Sequence, residues 1–502
     1  MRQIKQAARF GRPGSWKTAC VVGALCAATA IVLPAQTFTT LHSFDQTDGA
    51  FPGGALVQAT DGNLYGTTAD AGPNGRGGTI FKITPSGTLT TLYNFCSQSN
   101  CTDGESPFAA PVQATNWNVY GTTDSGGASL YDGTIFKITQ SGTLTTLYSF
   151  CALSGCTDGI YPNGLIQAAD GNLYGTTNRG GIDGGGACQQ GCGTVFKITP
   201  SGTLTTLYNF CMQGGEQCTD GQYPSSALIQ GSDGNLYGTT HGATFNYGSV
   251  FKITSNGTLT KLYSFCPQQP CTDGEYPSAA LVQASDGNFY GTTTLWGAHG
   301  NNIAGGTVFK INPSGTLTTL HSFCSLSGCA DGSRPYAALI QGTDGNLYGT
   351  TQLGGANNHG TIFKITRFGT LTTLYSFCSQ INCSDGGNPY ASLIQDTNGA
   401  FYGTTSGGGT GGHGSVFSLS VGLGPFVETR PPSGNVGKTI TVLGSSLKGA
   451  TSVTFNGTAA TFIVDSNSFI TTTVPAGATS GTVQVVTPGG TLSSNVPFRV
   501  SP

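Results

Sequence analysis

Charge is what this 502-residue sequence has least of. It holds 20 Lys and Arg and 23 Asp and Glu, 9% in all, against about 25% in an ordinary soluble domain. Methionine (2) and tryptophan (3) are also scarce, and good helix formers are thinly spread. That poverty excludes a coiled coil, a helical bundle and a basic nucleic-acid binder. The chain is still 10% aromatic, with 79 Gly, so it is not a polar disordered sequence. Thr, Gly, Tyr, Phe and Val/Ile dominate. They predict an all-β protein with many tight turns.

The N-terminus reads as an export signal. Arg2, Lys5, Arg9, Arg12 and Lys17 precede an apolar run over 19–33, which ends in Pro34-Ala35. A basic start, a short apolar core and a small-residue site are the pattern of a cleaved signal peptide. The run is too short for a comfortable membrane anchor, so none is expected after cleavage. Cys20 and Cys26 lack the small-residue context of a lipoprotein signal. Cleavage after Ala35 would leave 467 of the 502 residues, with 15 basic against 23 acidic groups, a net charge of −8. That sign disfavours nucleic acid and anionic membrane as partners. The expected location is secreted or cell-surface, or the periplasm.

Tyr-Gly-Thr-Thr recurs with its Tyr at 65, 120, 174, 237, 290, 348 and 402, and Phe-Lys-Ile begins at 81, 136, 196, 251, 309 and 363, with Phe417 a degenerate seventh. A period of this length marks a solenoid or a propeller. Each repeat predicts four short strands, as at 227–230, 235–240, 249–254 and 259–265. Asp-Gly-Asn and Ser-Gly punctuate the hairpins, because Gly and Asn tolerate positive φ. The chain opens with a lone fourth-type strand over 38–44. The last repeat stops after a third-type strand near Phe417. The first strand can therefore complete the last repeat, as a solenoid with capping repeats would not. The prediction is a seven-bladed β-propeller over 37–421, four strands per blade, its N-terminal strand closing the last blade.

Loop lengths separate two faces. From the first strand to the Tyr of the second is nine positions in every repeat, as from Leu56 to Tyr65. The loops after the second strand vary from seven residues (241–247) to fifteen (178–192). The loops joining one repeat to the next vary as well. Variation concentrates where loops bind, and also where loops merely tolerate drift.

Sixteen Cys are present. Beyond the signal they form close pairs: Cys96/Cys101, Cys151/Cys156, Cys188/Cys192, Cys211/Cys218, Cys266/Cys271, Cys324/Cys329 and Cys378/Cys383. All but Cys188/Cys192 fall in the loops between repeats. With an export signal these read as local disulfides, each contributing about 2 kcal/mol through loop closure. Each pair is self-sufficient, so no metal site and no cofactor is expected.

Asp-Gly recurs in every inter-repeat loop, at Asp48, Asp103, Asp158, Asp220, Asp273, Asp331 and Asp385. An aromatic lies near the following Pro: Phe51, Phe108, Tyr161, Tyr223, Tyr276, Tyr336 or Tyr390. One reading is a ring of carboxylates and aromatic platforms for a sugar or peptide. The other is turn capping by Asp and packing between repeats by the rings; a feature of every repeat favours this second reading. His42 and His321 take the place of a strand Tyr. His241, His299, His359 and His413 lie in the variable loops of four consecutive repeats. A metal or acid–base site there would need them to converge, and their unequal offsets from the third strand speak against it. No catalytic signature or phosphate loop appears, so no catalytic residue is assigned.

Near Gly424-Pro425 the repeat ends. Residues 425–502 predict short strands near 440–443, 452–455, 462–464, 469–474, 482–487 and 496–500, which suits a β-sandwich of immunoglobulin size. The stretches Gly-Lys-Thr-Ile-Thr-Val-Leu-Gly (437–444) and Val-Pro-Ala-Gly-Ala-Thr-Ser-Gly-Thr-Val (474–483) closely resemble the IPT/TIG family of immunoglobulin-like domains. The resemblance implies a spacer or adhesion unit. The units Asp-Gly-Asn-Leu-Tyr-Gly-Thr-Thr and Gly-Thr-Ile-Phe-Lys-Ile-Thr-Pro-Ser-Gly-Thr-Leu-Thr-Thr-Leu resemble the GloVer tandem repeats of exported bacterial proteins. That likeness implies secretion and a β-propeller, and assigns no activity. A fainter similarity joins Asp-Gly-Asn-Leu-Tyr to streptogramin-lyase-like propellers, but Tyr replaces their Trp and no lyase His can be placed.

The expectation is a non-catalytic binding protein for a glycan or protein ligand. Two alternatives stand beside it. One is a propeller lyase or hydrolase acting at the channel mouth; the other is a structural envelope component.

Overall fold

The computed structural model describes residues 36–73, 75–129, 131–182, 188, 190–213, 218–242, 247–299 and 304–501. The export signal over 1–35 lies outside the described residues.

The repeat unit follows from its own side chains. In the first repeat the strands are Val57–Gln58, Leu64–Thr68, Thr79–Ile83 and Leu89–Asn94, paired antiparallel in that order. The Tyr-Gly-Thr-Thr strand is buried on both faces, which is why it shows no polar alternation. Its Gly66 is forced by packing, since a Cβ there would sit 2.6 Å from the Phe81 ring. Phe-Lys-Ile is buried except at Lys82. The fourth strand is partly buried along most of its length, with Thr90 exposed. The first strand is shorter than expected, Ile229–Gln230 rather than 227–230, because Leu228 turns into the core. In the third repeat Ile160–Pro162 adds a fifth strand beside Leu173–Arg179. In the first repeat a single bridge, Ala50 to Asp70, occupies that place.

Among the described residues the repeats build seven such sheets. The last contains Ile394–Gln395, Phe401–Thr405, Ser415–Ser420 and the N-terminal strand Thr37–Ser43. Thr39 pairs with Ser418 and His42 with Val416, with a bulge at Leu41. The fourth strand of the first repeat bulges likewise at Leu92, between the Phe81–Thr91 and Ile80–Tyr93 pairs. Apolar clusters then join each sheet to the next. One of them unites Phe44, Tyr402 and Val416 with Leu56, Leu64 and Phe81, so the last sheet packs on the first. The arrangement is propeller-like.

A glutamine ends the first strand of every repeat. The Thr397 N–H donates to Gln58 Oε1 (3.1 Å), and Gln58 Nε2 donates to Thr397 Oγ1 (2.9 Å). The same clasp holds Thr60 to Gln113, Thr115 to Gln167, Ala169 to Gln230, Ser232 to Gln283, Ser285 to Gln341 and Thr343 to Gln395.

The C-terminal segment forms two four-stranded sheets. One contains Val427–Arg430, Thr439–Gly444, Phe469–Thr473 and Phe462–Val464; the other contains Thr458–Ala459, Ser452–Phe455, Val483–Thr487 and Gly490–Ser493. Val427, Ile440, Ile470, Val453, Phe455 and Val485 share one core between them. Val427–Arg430 escapes sequence reading because Glu428 and Arg430 mask the burial of Val427 and Thr429. The strand expected near 496–500 is Arg499–Ser501, and it pairs in parallel with Ser433–Asn435.

These sheets dock on the constant turns of the repeats. Arg430 Nη1 donates to the Gln58 carbonyl (2.7 Å), Ser468 Oγ to the Thr60 carbonyl (2.6 Å) and the Phe426 N–H to the Thr397 carbonyl (3.0 Å). The Trp117 and Phe469 rings meet edge-on at 5.7 Å. The turns that vary least are thus in contact with the C-terminal module.

Candidate functional site

The loop aspartates are structural. Asp158 is buried; Tyr148 Oη donates to it at 2.8 Å and the Ala152 N–H at 2.9 Å. Asp103, Asp220, Asp273 and Asp385 take the same strand-Tyr bond. At Asp331 the partner is His321 at 3.1 Å. Burial opposes ionisation there, but His321, Ser325 and the Leu326 N–H hold the carboxyl down at about 2. His42 meets Asp48 in the same way. No carboxylate ring faces solvent from these positions.

The loop aromatics divide into two sets on either side of the loop proline. Phe51, Tyr161, Tyr223 and Tyr276 precede it, with φ between 54° and 60°, a conformation uncommon for non-glycine residues. Several of these rings lie in the junctions between repeats. Tyr276 stacks on His241 at 4.4 Å, Phe51 meets His413 edge-on at 6.3 Å, and Arg179 lies 5.6 Å from the Tyr223 ring. Phe108, Tyr336 and Tyr390 follow the proline instead. They meet as one group, Tyr336 on Tyr390 at 4.8 Å and Phe108 on Tyr390 at 5.3 Å. The expected single set of tyrosines is therefore corrected. Tyr336 and Tyr390 come together with Phe108, whereas Tyr161, Tyr223 and Tyr276 do not line the cavity they share.

That cavity encloses about 330 Å³. The residue after the loop proline lines it in every repeat: Gly53, Phe108, Asn163, Ser225, Ser278, Tyr336 and Tyr390. Ala110, Gly164, Ala227, Ala280 and Ala338 keep its wall narrow-sided and open. The chemistry is two-sided. Tyr336, Tyr390 and Phe108 form an aromatic arc, while Asn163, Ser225 and Ser278 form a polar one. Gly53 makes the aromatic arc continuous, because a Cβ there would lie 2.4 Å from the Phe108 ring. Phe108 thus crosses the position of repeat one to reach Tyr390.

Asp124 is the one ionisable acid or base among the described lining residues apart from the tyrosines. Its N–H donates to the Ser106 carbonyl at 2.9 Å, two residues before Phe108. Its side chain is open to solvent but walled by the cavity, and that desolvation raises its carboxyl above the ordinary range. Asp124 occupies the position after Tyr-Gly-Thr-Thr, where the other repeats carry Ala69, Asn178, His241, Thr294, Gln352 and Ser406. Sequence reading missed it. The available signal was one position that differs in every repeat beside four that do not.

The histidines lie apart from the cavity wall. His241 is lowered by burial beneath Tyr276. His359 Nδ1 lies 3.4 Å from Asn388 Oδ1, and His299 is exposed. His413 lines a separate cleft with Phe51 and Asp70.

The cysteines are bonded in the expected pairs: Cys96–Cys101, Cys151–Cys156, Cys188–Cys192, Cys211–Cys218, Cys266–Cys271, Cys324–Cys329 and Cys378–Cys383. Short turns lie within these inter-repeat loops. Cys101, Cys156, Cys329 and Cys383 each end a short 3-10 turn, over Ser99–Cys101, Ser154–Cys156, Ser327–Cys329 and Ile381–Cys383. Cys329 illustrates the tight span of the inter-repeat pairs, whose Cα atoms lie 3.9–4.5 Å apart. Its Cα lies 3.9 Å from that of Cys324, nearer than the usual span of about 4.4–6.8 Å. The cause is the backbone, which folds back through positive φ at Cys324 (61°), Gly328 (66°) and Cys329 (55°). The Cys329 carbonyl then accepts from the N–H groups of Gly332 (2.8 Å) and Gly355 (3.0 Å), which ties the inter-repeat loop to the loop after the second strand. Cys329 is half-buried and lies apart from the cavity wall, so its role is to brace the loop.

Cys188, Cys192, Cys211 and Cys218 gather within 4.8 Å of one another, as His359 does with Cys378 and Cys383. Their sulfurs are held in disulfides and offer no thiolate to a metal.

The Gloeobacter/Verrucomicrobia repeat model matches residues 28–188, 97–301 and 268–483. The chain belongs to this repeat family. No curated protein matches it. Among solved structures, the chain is similar to the extracellular domain of a hybrid two-component system from B. thetaiotaomicron, at 12% identity and TM-score 0.48, covering 93% of this chain and 58% of that one. The chain thus spans little more than half of that domain. It is also similar to a fungal alcohol oxidase of the AA5 family, at 12% identity and TM-score 0.49, covering 93% and 99%. These likenesses are too distant to carry an argument about what the repeat protein does.

Proposed function

We propose that this member of the repeat family is an exported, seven-bladed β-propeller over 37–421 with an IPT/TIG-like sandwich over 425–502, and that it binds a small ligand, or one residue of a larger glycan or protein, in the central cavity. The cyclic pairing of Thr37–Ser43 with Ser415–Ser420 and the packing of the last sheet on the first support the closed ring. The disulfides and the basic N-terminus support export.

One observation carries the binding reading. The position after the loop proline lines the cavity in every repeat and is aromatic on one arc and polar on the other. A repeat that serves only its own stability has no reason to sort its residues in this way. The sandwich sits on the constant turns and leaves the variable loops for recognition.

Glycan-array and pull-down assays on the mature protein test this reading, with Tyr390→Ala and Phe108→Ala as the variants. Each should weaken binding roughly tenfold or more, as loss of a central aromatic does, with unchanged thermal unfolding. Binding that survives both substitutions contradicts it. The enzyme alternative gains little from geometry. The four histidines do not line the cavity, and an acid–base role would fall to Asp124 alone.

A further inference from the structure

We infer that the central cavity takes a compact organic cation, a protonated amine on a body of monosaccharide size, which sits against the Phe108, Tyr336 and Tyr390 rings with its ammonium facing Asp124. This rests on the cavity being the binding site and adds the class of ligand.

Charge is the first argument. Asp124 is the one carboxylate among the described lining residues, and no Lys, Arg or His lines the cavity with it. An anionic ligand would find no cationic side chain in this wall and would face the Asp124 carboxylate. A carboxylate with no cationic side chain beside it leaves its charge free to pair with an ammonium through a charge-assisted hydrogen bond.

The second argument is the count of donors. The polar arc spends its donor hydrogens inside the protein. Ser225 Oγ donates to the Pro277 carbonyl (3.5 Å) and Ser278 Oγ to the Tyr276 carbonyl (3.3 Å). The Asn163 amide donates to Thr176 Oγ1 (3.0 Å) and to the Pro224 carbonyl (2.9 Å). Thr122 Oγ1 donates to the Asn163 carbonyl (3.1 Å). What these groups have left are lone pairs, which suit a ligand rich in donors.

The third argument is the aromatic arc. Ring faces attract cations, and more strongly where water is excluded. Three rings joined through Tyr390, one of them 43% exposed at Phe108, offer that surface. The cavity of about 330 Å³ lies at the small end of ligand sites.

Calorimetry on the full mature chain tests the inference. The probes are glucosamine, N-acetylglucosamine and Nα-acetyl-lysine methylamide. Glucosamine should bind roughly tenfold tighter than its neutral N-acetyl form. Asp124→Asn should erase that preference without lowering the unfolding temperature. Tyr390→Ala should weaken both sugars. Binding of the lysine probe in place of glucosamine, with the same Asp124 dependence, keeps the cation and makes its source a protein side chain. Equal affinity for the two sugars, lost in Tyr390→Ala, overturns the cation while sparing the cavity. Affinity indifferent to both substitutions overturns the cation and the cavity together, and no binding of any probe overturns the cation.

Discussion

Asp396 shows how one buried group reports on the fold around it. It lies in the first turn of the last repeat, where the C-terminal module docks, and is 1% exposed. Burial pushes its carboxyl up to about 6; the Asn398 N–H partly offsets this and the nearby Glu428 adds to it. In the unfolded chain the same group titrates near 3.9. Between those values the folded state holds a proton that the unfolded state has lost. Stability therefore falls as pH rises through this window, and the penalty is complete above about pH 6. Asp396→Asn removes it. Urea unfolding of the full chain should show the variant more stable by about 1–3 kcal/mol at pH 7.5 and little changed at pH 4. An equal effect at both pH values would contradict this account. Asp331 behaves oppositely. Its carboxyl is held at about 2, so its contribution is present above about pH 4 and is lost as acid approaches pH 2.

The loop residues also show how far a sequence can be read. Capping by Asp was legible, because Asp-Gly in every repeat has a local cause. The cysteine pairing was legible for the same reason, but the fold-back that brings the inter-repeat pairs so close was not, since it depends on the backbone of the whole loop. The cavity-lining residues were not legible either, because an aromatic near a proline merges two positions two residues apart. The left-handed backbone at Tyr223 and Tyr276 sets their rings at the junctions between repeats, whereas Tyr336 and Tyr390 enter the cavity. Which side of the proline matters is a property of the assembled repeats. Alignment of the loops on the proline would have exposed it.

At the scale of elements, the second, third and fourth strands of the repeats were legible almost to the residue, since hairpin turns and alternation are local. Thr79–Ile83 and Leu89–Asn94 stand close to where the pattern puts them. The glutamine clasps were invisible, because each reaches across to a different repeat. They make a stability prediction of their own. Gln58→Ala leaves the Thr397 N–H without its partner in a buried position and should cost about 1–3 kcal/mol. Gln341→Ala frees the Ser285 N–H at an exposed turn, where water replaces the lost bond, and should cost less. Denaturant midpoints of the two variants compare them directly. Equal losses would mean that burial of the clasp between the first and last repeats adds nothing to its strength.

The whole molecule divides its labour between two faces. One carries constant turns and is in contact with the C-terminal module through Arg430, Ser468 and Trp117. The other gathers the inter-repeat loops around a cavity to which every repeat contributes one residue. The central cavity exists only if the chain closes on itself, because an open spiral would separate Phe108 from Tyr390. Phe38 extends the closure into the core, stacking on Tyr375 at 3.9 Å and on Phe417 at 5.4 Å. Native-state hydrogen exchange read by mass spectrometry tests this most directly. Closure predicts that the peptide carrying Thr37–Ser43 is protected and opens together with the one carrying Ser415–Ser420. Rapid exchange of the first with lasting protection of the second would mean that the ring is open, and that the cavity built from all its repeats is not there.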